Sequence, residues 1–72
     1  MKDVKRVDML RAKYRTRWDA HQLIADHNAR LVKSGKQPSN EQLINEQRAA
    51  EAVQLAKQEL LAAIAQAGLE TN

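Results

Sequence analysis

The chain reads as an all-α protein, an antiparallel two-helix hairpin, and three observations lead there. Helix-breaking residues are confined to one interval and one end, with glycine only at 35 and 68 and proline only at 38. Both residue types disfavour a helix interior. On either side of the central interval, apolar residues recur at steps of three and four, the helical period, with no strand-like alternation. The apolar content is rich in Ala and Leu and contains no Phe, a selection that loses little side-chain freedom in a helix.

The first helix is expected over residues 3–34. Val7, Leu10, Tyr14, Trp18, Ala25 and Val32 make its stripe, and His21 and Asn28 fill the gaps. Asp3 suits the N-cap. Lys33 lies in the last turn, where a cation complements the helix dipole, and Gly35 can take the left-handed C′ position. The turn covers 35–39, and Pro38 stops any helix arriving from the N-terminal side. Ser39-Asn40-Glu41-Gln42 matches the capping box and opens a second helix over 40–67. Its stripe is Leu43, Ala50, Val53, Leu60, Leu61, Ile64 and Ala67. Gly68 follows as C′, with Leu69 placed to fold back on Ile64 in a Schellman ending.

Folding about this turn pairs residues whose numbers sum to about 73 in a short-loop hairpin. Trp18 is then expected near Ala56, Tyr14 near Leu60 and Ala63, and Ile24 near Ala49. Ala49, Ala56 and Ala63 stand one heptad apart, a row of small residues that lets two helix backbones approach closely. Met9, Leu23, Leu31, Ile44 and Leu55 fall outside both stripes. A helix with more than one apolar face has more than one neighbour. At 72 residues the chain is one small domain, near the size where a single core barely outweighs chain entropy. The hairpin is therefore expected to form a homodimer, a four-helix bundle or coiled-coil-like assembly.

Charge is unevenly placed. Residues 1–36 carry ten Lys/Arg and four Asp, and residues 37–72 carry two Lys/Arg and five Glu, giving +6 and −3 within a net +3. Opposite charges flanking a seam favour pairing of the two arms. There is no cysteine, hence no disulfide framework, thiol nucleophile or Cys-type zinc site. The N-terminal residues lack an apolar signal core, and no apolar run approaches membrane-spanning length. A cytoplasmic location with no membrane partner is the default expectation.

Candidate chemistry is sparse. His21 and His27 miss the i,i+4 spacing of a helical metal pair, so His21 reads as a polar seam residue and His27 as exposed. His21 and Asn28 together could set register, as isolated polar core residues sometimes do. No hydroxyl sits in a nucleophile motif, no Gly-rich phosphate loop exists, and a hairpin lacks a water-excluding pocket. No enzymatic activity and no cofactor are expected.

The stretch Arg11-Ala12-Lys13-Tyr14-Arg15-Thr16-Arg17-Trp18 has the composition of nucleic-acid-binding segments. On a helix, however, its cations fan over more than half the circumference. The leading expectation is a non-enzymatic interaction protein that binds and regulates a protein partner through an exposed helix face. Small adaptors, secretion chaperones and inhibitors of bacterial or bacteriophage origin share that architecture. Arg6, Met9, Lys13, Arg17, Leu23 and Leu31 are the candidate partner-binding residues. The alternative is a nucleic-acid-binding module that contacts phosphates through Arg11, Lys13, Arg15 and Arg17.

Overall fold

A computed structural model describes residues 2–68, with side chains over 4–68. It contains two helices, α1 (Lys2–Lys33) and α2 (Asn40–Gln66), packed against each other. The particle measures 51 × 22 × 16 Å, the length of α1 laid beside its partner. At a rise of about 1.5 Å per residue, a helix of this length spans nearly 50 Å.

The reversal is made by two local devices. Gly35 takes φ +81°, a conformation open to glycine at little steric cost. Its N–H donates to the Val32 carbonyl at 3.0 Å and the Lys36 N–H donates to the Leu31 carbonyl at 2.8 Å, the paired bonds of a complete Schellman motif. Across the turn, the Gln42 N–H donates to Ser39 Oγ at 3.1 Å and the Ser39 N–H donates to Gln42 Oε1 at 2.8 Å. This reciprocal capping box satisfies two backbone donors that the first turn of α2 would otherwise orphan. At the far end Gly68 has φ +68° and follows the C-cap Ala67. The Leu69 contact expected there lies outside the described residues. Asp3 is not the N-cap of α1, because the helix already includes Lys2.

The seam is stricter than the sequence stripe. From α1 it takes Val7, Leu10, Tyr14, His21, Ile24, Asn28 and Leu31, and from α2 Gln42, Glu46, Ala49, Val53, Ala56, Leu60, Ala63 and Ala67, all buried or half-buried. These positions alternate steps of three and four, the 3.5-residue period of a left-handed coiled coil. Arg17 occupies the remaining α1 heptad position and is exposed. Residue numbers across the seam sum to 72 at Lys13–Glu59 and to 74 at Asn28–Glu46, matching the expected hairpin register. Val7, Leu10, Leu60 and Ala63 form the core cluster, flanked by Tyr14, Ile64 and Ala67. The Ala49, Ala56, Ala63 row faces the seam as expected, with Ala56 only 2% exposed.

Four expected seam residues are corrected. Trp18 is 46% exposed and Val32 61% exposed; Arg17 and Leu31 hold the corresponding heptad positions. Leu43 and Leu61 are likewise about half exposed, while Gln42 and Leu60 face α1. On α1 the stripe and the seam part at one step: from Tyr14 the apolar residues go four places to Trp18, whereas the seam goes three to Arg17, so Trp18, Ala25 and Val32 each lie one position, about 100°, outside it. Trp18 consequently lies in an edge groove with Tyr14, Val53, Gln54 and Lys57 instead of covering Ala56.

Candidate interaction surfaces

Removing the seam leaves two long flanks on the hairpin, one on each side of the plane holding the helix axes. The first carries Val4, Arg11, Trp18, Ala25 and Val32 from α1, which share one helical phase at seven-residue spacing. From α2 it carries Leu43, Ala50, Lys57 and Ile64, with Leu61 and Gln54 beside them. Arg11, Arg15, Trp18 and Asp19 line one groove on this flank, and Trp18, Gln22, Ala50, Gln54 and Lys57 meet in another. Five of the exposed large apolar side chains, Val4, Trp18, Val32, Leu43 and Leu61, fall here and run its full length.

The second flank carries Arg6, Lys13, Ala20 and His27 in one phase and Met9, Thr16, Leu23 and Arg30 in the next. From α2 come Asn45, Ala52, Glu59 and Leu55. Lys13 Nζ donates to Glu59 Oε1 at 3.2 Å across the two helices. Both side chains are nearly half exposed, so the pair aids register more than stability. Lys13, Arg17, Ala52, Leu55 and Glu59 border one shallow groove, and Leu23, Ile24, His27, Asn28, Gln42 and Asn45 border another. Among the described residues Leu23 is the most exposed large apolar one, at 74%.

Near the turn, the seam closes on a polar clasp. Asn28 is 4% exposed; its Nδ2 donates to Glu46 Oε1 at 2.8 Å and to the Gln42 carbonyl at 3.3 Å. Both partners accept, which fixes the amide orientation and leaves Asn28 Oδ1 buried without a donor. Unmet buried acceptors carry a desolvation cost. His27 Nε2 lies 3.4 Å from Gln42 Nε2, so the residue that caps α2 also touches α1. The clasp resists axial sliding, because an apolar seam of Leu and Ala is tolerant of slippage and a directed amide is not.

The six sequence-chosen partner residues divide. Arg6, Met9, Lys13 and Leu23 share the second flank, and Arg17 borders it from the seam edge. Leu31 is half-buried in the seam and is corrected as a docking residue. The four cations of the alternative reading point apart: Arg11 and Arg15 lie on the first flank, Arg17 at the seam edge and Lys13 on the second. Arg11 is also 3.6 Å from Asp8. The sequence stripe missed Trp18, Val32, Leu43 and Leu61 as surface; the available signal on α1 was the step of three from Tyr14 to Arg17, which keeps the alternation that His21 and Asn28 continue. Among the described residues no group of His, Cys, Asp or Glu gathers to hold a metal ion, and no helix is long and apolar enough to cross a membrane. No family model, curated protein or solved structure matches the chain.

Proposed function

We propose that this chain is a non-enzymatic interaction protein, a self-associating helical hairpin that binds and regulates a protein partner of adaptor, chaperone or inhibitor type. The observation that carries the reading is the second flank. There Met9, Leu23 and Leu55 stand exposed among Arg6, Arg17 and the Lys13–Glu59 pair, apolar side chains with a surplus of cations beside them. Such a face suits an amphipathic acidic helix, with the apolar side chains supplying affinity and the cations setting orientation and association rate. A thin hairpin with open grooves offers substrates no enclosed cavity, which favours docking over catalysis. Two hairpins packing into a four-helix bundle would cover the remaining apolar surface.

The test uses the whole chain as bait in nuclease-treated lysate, beside a variant carrying Arg6→Gln, Met9→Ser, Lys13→Gln, Arg17→Gln and Leu23→Ser. A protein retained by the unaltered chain and lost by the variant supports the reading. Equal retention by both refutes the flank. Nucleic-acid binding is disfavoured by the divergence of Arg11, Lys13, Arg15 and Arg17 around α1. Phosphate contact would instead give binding to a labelled duplex that collapses steeply with salt.

A further inference from the structure

The geometry points to the first flank as the self-association surface, with a second copy of this chain packed on it in antiparallel orientation, turn end against open end. This deepens the self-association part of the proposed function and rests on it. Three features of the hairpin carry it.

Surface area comes first. The chain exposes 5967 Å², whereas a compact monomer of its mass exposes about 4500 Å². Its radius of gyration is 16.0 Å against about 11 Å for a compact domain of this length. The excess surface is larger than the roughly 800 Å² per partner that a standard interface covers. A second hairpin laid along a 51 Å particle has the length to cover it.

Charge selects the occupant and its direction. The open-end half of this flank carries Arg11, Arg15 and Lys57, with Asp8 beside Arg11 and Asp19 on its rim. The turn half of the face is uncharged, formed by Gln22, Ala25, Ala29, Val32, Leu43, Gln47 and Ala50, and its rim carries Asp26, Lys33 and Glu51. Two copies laid parallel about a two-fold would set α1 on α2, with Arg15 of one level with Lys57 of the other. Laid antiparallel, α1 packs on α1 and α2 on α2, so that Arg15 and Lys57 meet Asp26 and Glu51, and Lys33 meets Asp8. Like-charge contact is thereby avoided and opposite charge placed across the interface.

Register supplies the third feature. In an antiparallel two-fold pair, contacting residues on the same helix lie equally far from the axis. Arg15 meeting Asp26 puts the axis between positions 20 and 21 of α1; Lys57 meeting Glu51 puts it at 54 of α2. These sum to 74.5, within about two residues of the 72 and 74 the hairpin shows at Lys13–Glu59 and Asn28–Glu46, so one axis serves both helices. The same axis brings Leu43 against Leu61 and Ile64 of the second copy, and Trp18 against Gln22 and Ala25.

Two measurements test this. Sedimentation equilibrium at micromolar concentration should return twice the 8.2 kDa chain mass. The Val32→Ser, Leu43→Ser double variant should dimerise at least about tenfold more weakly, while Met9→Ser, Leu23→Ser should not change; all four side chains are exposed, so both variants keep the hairpin. The chain has no cysteine, so single thiols report proximity cleanly. Gln54→Cys, beside the axis, should form a disulfide-linked dimer under mild oxidation. Gln47→Cys, about 10 Å further along the helix, should lag behind it by tenfold or more. A monomer at all concentrations overturns self-association and this inference together. A dimer that needs Met9 and Leu23 but not Val32 and Leu43 overturns the face and leaves self-association standing. Equal cross-linking at 47 and 54 overturns the antiparallel arrangement alone.

Discussion

Replacing Asn28 with leucine should stabilise the hairpin, and the size of the effect follows from the clasp. Leucine has the branching and nearly the reach of asparagine, so the seam accepts it without a large shift. Two hydrogen bonds are lost. The bond to the Glu46 carboxylate is charge-assisted, but Glu46 is only half-buried and regains water, so its loss costs about 1 kcal/mol. The 3.3 Å bond to the Gln42 carbonyl costs roughly 0.5 kcal/mol, since a helical carbonyl already accepts from the chain. Against this, the orphaned Oδ1 disappears, relieving about 1–3 kcal/mol, and an apolar side chain is buried, contributing about 1.5–3 kcal/mol. The net gain is about 1–4.5 kcal/mol, raising the melting temperature by roughly 5–30 °C for a domain this small. Thermal and urea unfolding followed by circular dichroism, at one fixed protein concentration, measure it. The same variant should broaden the distribution of oligomers, because the register-setting amide is gone. A fall in stability of more than about 1 kcal/mol would refute the reasoning, since it would mean the polar clasp is a net stabiliser.

Other perturbations probe the local devices. Ser39→Ala removes the Oγ acceptor of the capping box and should cost about 1 kcal/mol in urea unfolding. Gly35→Ala should cost about 1–2 kcal/mol, although open space surrounds its missing Cβ. There the penalty comes from φ +81° alone, and a D-alanine at 35 should instead be neutral or stabilising. Ala56→Leu forces three extra carbons into the tightest part of the seam and should lower stability by about 1–3 kcal/mol. Lys13→Gln should change stability by under about 0.5 kcal/mol, and by less in high salt, because the Glu59 pair is half exposed.

How much of the interaction surface was legible in the sequence depends on how each residue is held. Met9, Leu23 and Leu55 fall outside any seven-residue apolar row, so their exposure was readable. Leu31 and Trp18 were misassigned in opposite directions. One position along a helix is a rotation of about 100°, and apolar residues at both 31 and 32 let a stripe end on either. The Asn28–Glu46–Gln42 clasp was half readable: a polar residue in an apolar row marked Asn28, but its partners lie on the other helix. Nothing in the order of residues identifies a carboxylate eighteen positions away as the one that meets that amide.

Helix type, the two helix ends at the turn and chain reversal were decided by the sequence alone, because each depends on neighbours within a few residues. The Gly35 C′ position, the Ser39–Gln42 box and the Ala49, Ala56, Ala63 row are local patterns with local energies. The tertiary structure decided which of two adjacent apolar stripes turns inward. That choice is set by the helix opposite: the alanine row of α2 accepts α1 side chains at a 3.5-residue period and so leaves Trp18 and Val32 outside. Burial belongs to a pair of helices, and a single helix read in isolation has no information about which face its neighbour will cover.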